Sequence, residues 1–314
     1  MSLVTGKEIL DAANVGGYAV GAFNINNMEI FQGIIRAAEE KNSPVIIATS
    51  ESAIKYAGIN YLVSMVKTAA NITSVPIALH LDHGKNFEVI QKCIKYGYTS
   101  LMIDASHLSL DENIEETKKV VKTAHTHNVS VEAELGRLQG IEDNVSVLER
   151  DAILVNPQDA KLFVEETEID SLAPAIGTSH GAFKFKGEAE LDFERLDETK
   201  NLTKIPLVLH GASSVPENIL KKAAKYGAKI PGAKGVPTEH IKKVIKLGIN
   251  KINIDTDLRL AFTTAIREVF ANSPEQFDPR KILGPARNAI YDVVKEKIDI
   301  LGSADKAWEE ELVL

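Results

Sequence analysis

The segment Ile77-Ala78-Leu79-His80-Leu81-Asp82-His83-Gly84 is an apolar run that turns polar only toward its C-terminal end, with Pro76 before it. That punctuation marks a strand, expected here over 77–80. A buried strand has no structural use for His, Asp and His crowded together, because each needs a partner inside the core. The segment alone leaves two readings open: a hydrogen-bonded polar cluster at a strand end, or a metal or acid–base site. The same layout recurs along the chain. Apolar runs are expected as strands at 18–23, 45–49, 77–80, 100–103, 130–134, 171–176, 207–210 and 251–255, and Pro44, Pro76 and Pro206 introduce three of them.

Between these runs lie helical patterns. Ile114, Thr117, Val121, Ala124 and His125 recur at helical spacing behind Ser109-Leu110-Asp111-Glu112, which fits a capping box. Leu62, Met65, Val66, Ala69 and Ala70 form another apolar face, and the pattern 241–247 closes on Gly248. Strands alternating with helices imply parallel pairing, and eight such units predict an α/β fold closed into a (β/α)8, or TIM, barrel. A doubly wound sheet is the alternative. It usually carries a glycine-rich turn after its first strand, where this chain reads Gly21-Ala22-Phe23-Asn24. No linker composition divides the chain, so one barrel domain over 1–314 is expected, with two helices extending it from about 278. The stretches 136–151 and 178–186 read as long connections that serve as lids.

Composition narrows the function classes. Of 314 residues, 44% are apolar and 25% charged, which is ordinary for a globular chain with a sizeable core. A net charge of −8 argues against nucleic-acid partners and against an anionic membrane surface. Cys93 is the only cysteine and falls in the helical pattern Phe87, Ile90, Cys93, Ile94, so it reads as core and not as a nucleophile. The N-terminus lacks the basic and apolar regions of a signal peptide, and no apolar stretch is long enough to span a bilayer, so a cytoplasmic location is expected.

A barrel places its chemistry at the C-terminal ends of its strands. Five of the eight histidines fall there: His80, His83, His107, His180 and His210. The other three, His125, His127 and His240, read as solvent-facing helix residues. His83, His180 and His210 come from three strand ends, and three neutral imidazoles with an open fourth position suit a catalytic zinc. Asp82 beside them suits acid–base work. Asp104 and Glu134 add carboxylates, either as supports for the histidines or as direct metal contacts. A second cluster has the character of a phosphate site: Gly177-Thr178-Ser179-His180-Gly181 with Lys184, then Gly211-Ala212-Ser213, then Asp255-Thr256. Small residues with free backbone N–H groups and hydroxyls wrap phosphates, and barrels often hold one after their last two strands.

His80-Leu81-Asp82-His83, Val131-Glu132-Ala133-Glu134-Leu135-Gly136, Gly177-Thr178-Ser179-His180-Gly181 and Asn253-Ile254-Asp255-Thr256-Asp257 together resemble the metal-dependent (class II) fructose-1,6-bisphosphate aldolases, from Gly21 to about Gly302. The tagatose-1,6-bisphosphate aldolases share almost all of it. The resemblance implies reversible cleavage of a sugar bisphosphate to triose phosphates through a zinc-stabilised enediolate. It implies zinc on His83, His180 and His210, with Asp104 and Glu134 near an alternative or second cation position. Asp82 would move the proton of the C4 hydroxyl, and Glu142 would take the proton from dihydroxyacetone phosphate. Gly181, Lys184, Gly211, Ser213, Asp255 and Thr256 would surround that substrate's phosphate, with Asn253 at its hydroxyl-bearing carbons. Asn24, Ser50 and Arg259 would face the other half of the sugar, and Arg280 would bind the second phosphate from a neighbouring subunit of a homodimer or homotetramer. A monovalent cation (Na+ or K+) near the phosphate belongs to the same expectation.

Three rivals remain in view. A Schiff-base aldolase needs a lysine inside the barrel or at a strand's C-terminal end, whereas Lys251 reads as the start of the last strand and Lys184 as a loop residue. A sugar-phosphate-binding barrel without catalysis would not need Asp82. A metal-dependent hydrolase would use the same imidazoles to activate water.

Overall fold

The structure is a computed structural model. It describes residues 3–136, 139–142, 145–147, 153–180, 191–214, 216–230 and 235–308, without the side chains of 139–142, 145–147, 179 and 180. The strands are β1 (Val20–Asn24), β2 (Val45–Ser50), β3 (Ile77–Gly84), β4 (Ser100–Ile103), β5 (Ser130–Leu135), β6 (Gln139–Glu142), β7 (Val145–Val147), β8 (Ser171–Pro174), β9 (Ser179–His180), β10 (Leu207–Leu209) and β11 (Ile249–Ile254). The helices are α1 (Gly6–Gly16), α2 (Met28–Glu40), α3 (Glu51–Ala57), α4 (Ile59–Ile72), α5 (Phe87–Tyr96), α6 (Leu110–His125), α7 (Pro157–Thr167), α8 (Phe193–Thr203), α9 (Glu217–Lys225), α10 (Thr238–Lys246), α11 (Thr256–Asn272) and α12 (Pro279–Leu301).

Eight strands close a parallel barrel in the order β1-β11-β10-β8-β5-β4-β3-β2. All eight expected runs supply one strand each. The boundaries shift by a few residues; most notably, β3 runs on through Asp82 and His83 to Gly84 instead of stopping at His80. Alternation sorts each strand's side chains. Leu79 and Leu81, Val131 and Ala133, and Ile252 and Ile254 pack outward in the main core beneath the helices. Val20, Ala22, Ile46 and Ala78 point inward and meet Ile9, Leu10 and Ala13 of α1, which plugs the N-terminal end. The opposite end is therefore the open one.

The capping box at Ser109 and Glu112 forms as expected, and Cys93 is fully buried. The C-terminal extension is present, as the continuous α12 and not as two separate helices. Its buried apolar residues Ala286, Ile290, Val293, Val294, Ile298 and Leu301 make one stripe, and packing along that stripe carries the helix past the internal Pro285. The two long connections also differ from plain loops. Their described parts form a sheet of order β7-β6-β9, in which Gly140 pairs with His180. Backbone pairing thus ties the segment carrying Glu142 to the one carrying His180. No described helix is long and apolar enough to cross a membrane.

α12 lies against α2 because Gly33 lets it approach. A Cβ there would sit 2.8 Å from the Arg287 carbonyl oxygen and 2.8 Å from an Ile290 methyl. Gly33→Ala is expected to destabilise the chain by about 1–3 kcal/mol through this overpacking, read from the denaturant midpoint; an unchanged midpoint would show that the two helices separate freely.

Candidate active site

The site is built where the inward-facing residues reach the open end. Alternation along β3 puts His80 and Asp82 inside the barrel and would turn His83 outward. The structure overrides this with an irregularity in the β3–β4 register between Leu81 and Gly84, and with His83 at φ 49°. Bulges and left-handed residues of this kind re-aim side chains next to functional sites. Two consecutive residues, Asp82 and His83, thereby face the same mouth.

His210 enters just beyond β10, before Gly211, whose φ of 61° turns the chain away at once. Its Nδ1 lies 3.0 Å from His83 Nε2. The outer nitrogens fix what this contact is. His210 Nε2 lies 2.7 Å from Glu132 Oε1, and His83 Nδ1 lies 3.2 Å from Asp104 Oδ2. An ionised carboxylate only accepts, so both outer nitrogens carry the protons. The facing nitrogens of two neutral imidazoles then present lone pairs to each other. Such an arrangement repels unless a cation sits at the meeting point, and neutral imidazoles oriented from behind by carboxylates are what metals bind. Asp82, His83 and His210 each offer a ligand atom within 4.8 Å of the others, and so do His83, Asp104 and Glu134. The donor set fits a divalent metal.

Asp82 is held from both sides. The Asn24 side-chain amide donates to Oδ2 at 2.8 Å and the Asn253 amide to Oδ1 at 2.9 Å. The carboxylate is 1% exposed. Both asparagine carbonyl oxygens are buried without a partner among the described residues, which leaves two acceptors for hydroxyl groups.

Beneath the imidazoles lies a layer in which His80 is the hydrogen-bonded support its place at a strand end suggests, joined by two residues without a role in the sequence reading, Glu132 and Lys251. Lys251 is 1% exposed and places its ammonium 2.6 Å from Glu132 Oε2 and 3.1 Å from His80 Nε2. Because that ammonium only donates, His80 accepts at Nε2 and donates from Nδ1 to Ser100 Oγ at 2.8 Å. Burial, reinforced by the Lys251 charge, pushes His80 down to about 3, so it stays neutral. Burial also lowers His210, against the opposing pull of Glu132. Burial alone would raise the Glu132 carboxyl, but Lys251 and the His210 hydrogen bond outweigh it and hold it well below the carboxylate range. Asp104 is held low in the same way: burial opposes, and His83, Lys85 and Ser106 prevail.

Lys251 corrects one expectation. Strand β11 starts at Ile249, so this lysine stands inside the barrel and not at the strand's beginning. It still offers no free amine, because its ammonium is committed to Glu132. The signal that would have found both residues is alternation: Glu132 precedes Glu134 by two, and Lys251 precedes Asn253 by two, which puts each pair on one face. His240 also departs from its solvent-facing reading; its ring meets Phe193 edge-on at 5.4 Å, with Nδ1 buried.

The remaining expected residues divide. Ser50 follows the same rim, in register with Asp82, and its hydroxyl caps α3 by accepting from Ala53 N–H. Ser213 is buried in the loop after β10. Asp255 and Thr256 form the N-terminus of α11, where the Asp255 carboxylate is neutralised by Arg259 at 2.7 Å, leaving backbone N–H groups at a helix start suited to an anion. Arg280 stands apart: its side chain is 90% exposed and held by Asp278 at the start of α12. Gly181 and Lys184 lie outside the described residues, as do the side chains of Glu142 and His180.

The family model described as "Fructose-bisphosphate aldolase class-II" matches residues 4–231 and 229–306. The chain is 57% identical to a fructose-bisphosphate aldolase of Helicobacter pylori (strain ATCC 700392 / 26695), over 97% of this chain and 99% of that protein. It is 53% identical to a fructose-bisphosphate aldolase of Thermus caldophilus, over 97% and 100%. Among solved structures, the YdjI aldolase of Escherichia coli K12 superposes with a TM-score of 0.81 at 33% identity, covering 98% of this chain and 100% of that one.

Glu132→Gln is expected to weaken divalent-metal affinity by about 10–100-fold, because the amide no longer fixes the His210 tautomer. Competition with a chromophoric chelator measures this, and unchanged affinity would refute the orienting role.

Proposed function

This chain belongs to the class II fructose-bisphosphate aldolase family, and we propose that its barrel mouth carries out the reversible cleavage of fructose 1,6-bisphosphate into dihydroxyacetone phosphate and glyceraldehyde 3-phosphate. The observation that carries the reading is the pair of imidazoles facing at 3.0 Å beside a carboxylate clamped by two amides. The relatives named as fructose-bisphosphate aldolases favour this sugar over its tagatose epimer, and catalysis over binding alone.

His83, His180 and His210 are the proposed metal ligands, and the imidazole-rich donor set favours zinc. A metal held there would supply Lewis acidity at the C2 ketone oxygen, the position that accepts the electron pair released at C3. Asp104 supports His83 from behind, and Glu134 lies beside both; because His83 has only one free lone pair, the three together are a candidate alternative position for the cation. A monovalent cation beside the phosphate is part of the same proposal.

The chain's own residues move the protons. As the C3–C4 bond breaks, Asp82 takes the proton of the C4 hydroxyl, and the C4 carbon becomes the aldehyde of glyceraldehyde 3-phosphate. Its two amide partners fix the carboxylate's orientation and leave their carbonyl oxygens for sugar hydroxyls. Glu142 delivers a proton to C3, completing dihydroxyacetone phosphate; in condensation it removes that proton. Its strand pairs with that of His180, a placement that supports a role at this site. Gly181, Lys184, Gly211, Ser213 and the N-terminus of α11 at Asp255 and Thr256 are proposed to hold the phosphate of the dihydroxyacetone half, with Asn253 at its carbons. Asn24, Ser50 and Arg259 face the other half. Arg280 is assigned the second phosphate of a neighbouring subunit's substrate, which suits its exposure on this chain.

Chelation is expected to abolish cleavage of fructose 1,6-bisphosphate in a coupled assay, with zinc restoring it, and tagatose 1,6-bisphosphate is expected to be the poorer substrate. Borohydride added with substrate should leave the mass of the chain unchanged; a trapped adduct would replace this mechanism with lysine chemistry. Glu142→Ala is expected to retain metal content while slowing hydrogen–deuterium exchange on dihydroxyacetone phosphate by about 10²–10⁴-fold. Retained exchange would remove Glu142 from the mechanism.

A further inference from the structure

A buried lysine on the C-terminal helix ties together the two loops assigned above to the phosphate. Lys297, on α12, is 7% exposed, and its Nζ lies 2.6 Å from Oδ2 of the fully buried Asp257. The same ammonium donates to Ser214 Oγ. The Ser214 backbone N–H donates to that Asp257 oxygen at 3.1 Å, and the Ser214 hydroxyl lies 3.2 Å from it. Ser214 follows Ser213 in the loop after β10, and Asp257 follows Thr256 at the start of α11. One carboxylate oxygen therefore joins both loops, and an ammonium from a third element neutralises it.

This joint is not explained by packing alone. Lys297 borders a mainly apolar pocket lined by Ala212, Ile241, Ile252, Ile254 and Ile300 with Ser214 and Thr238, surroundings in which an aliphatic side chain would fit without the cost of desolvating a charge. A lysine there serves the carboxylate. An uncompensated Asp257, one residue from Thr256, would also repel an incoming phosphate dianion.

We propose that Lys297 is a positioning residue for the substrate phosphate: through Asp257 and Ser214 it locks the Ser213 loop and the N-terminus of α11 at the separation the phosphate requires. The inference rests on the phosphate assignment made above. It gives the C-terminal helix a role in substrate binding from behind the barrel wall, without contact to the substrate.

The test compares Lys297→Met, Ser214→Ala and Ser214→Thr in the metal-loaded full chain, with Lys295→Met, which loses an outer-face pairing to Glu40, as control. Lys297→Met is expected to raise KM for fructose 1,6-bisphosphate about tenfold, and to weaken calorimetric binding of dihydroxyacetone phosphate by the same factor, while kcat and metal content stay near wild type. Ser214→Ala should move both in the same direction by about threefold, with Ser214→Thr restoring them through its hydroxyl. If Lys297→Met does not fold, the Ser214 pair decides. Wild-type affinity in Lys297→Met or Ser214→Ala, or a fall in kcat and metal content with KM unchanged, would overturn the inference alone. A wild-type chain that does not bind dihydroxyacetone phosphate would overturn the phosphate assignment together with it.

Discussion

The site depends on an ion pair that has no access to water. Lys251 and Glu132 meet at 2.6 Å, each 1% exposed, at the centre of the barrel. Neither charge is tolerable there alone, since breaking a buried pair by removing one partner costs about 3–5 kcal/mol. The pair is not isolated, however. The second Glu132 oxygen accepts a hydrogen bond from His210 Nε2–H, and the Lys251 ammonium donates to His80 Nε2. A charge arrangement that would otherwise be a structural liability is thereby converted into orientation for an imidazole proposed as a metal ligand. Many barrels fill this layer with branched apolar side chains; this one uses it as the support of its chemistry.

A second constraint acts on the backbone. His83 adopts a positive φ that non-glycine residues visit rarely, and it does so where the β3–β4 register slips. The gain is geometric. Regular alternation would give the mouth only one of two neighbouring residues, whereas the irregularity delivers both the proton carrier proposed at Asp82 and the imidazole of His83. Asp104 then fixes the ring from behind, and the two asparagines fix the carboxylate from either side. Hydrogen bonds thus set the orientation of the Asp82 carboxylate and of the His83 and His210 imidazoles.

The same logic extends behind the barrel wall. Asp255 is neutralised by Arg259 and Asp257 by Lys297, so the first turn of α11 presents N–H groups without a net local negative charge. A helix start flanked by two carboxylates would otherwise be a poor place for an anion. The C-terminal helix, held against α2 at Gly33, carries one of the two compensating cations.

Much of this was readable from the chain. Strand and helix periods are local properties of neighbouring residues, so the eight units, the capping box at Ser109 and the polar strand ends could be read directly. The motifs around Asp82, His83, His210 and Asn253 named the residues that do converge. What the sequence could not fix was which side chains meet across the closed barrel, because contacts between residues from 21 to 127 positions apart depend on register. In sequence Lys251 therefore reads as a strand start, Glu132 has no feature that sets it apart from Glu134, and Lys297 carries no signal. The sequence by itself determined the order of elements and the rim on which the chemistry collects. Only the tertiary structure decided the tautomers, the reversal of His83 and the buried charge pairs, because each is a balance between groups that the chain brings together only when the barrel closes.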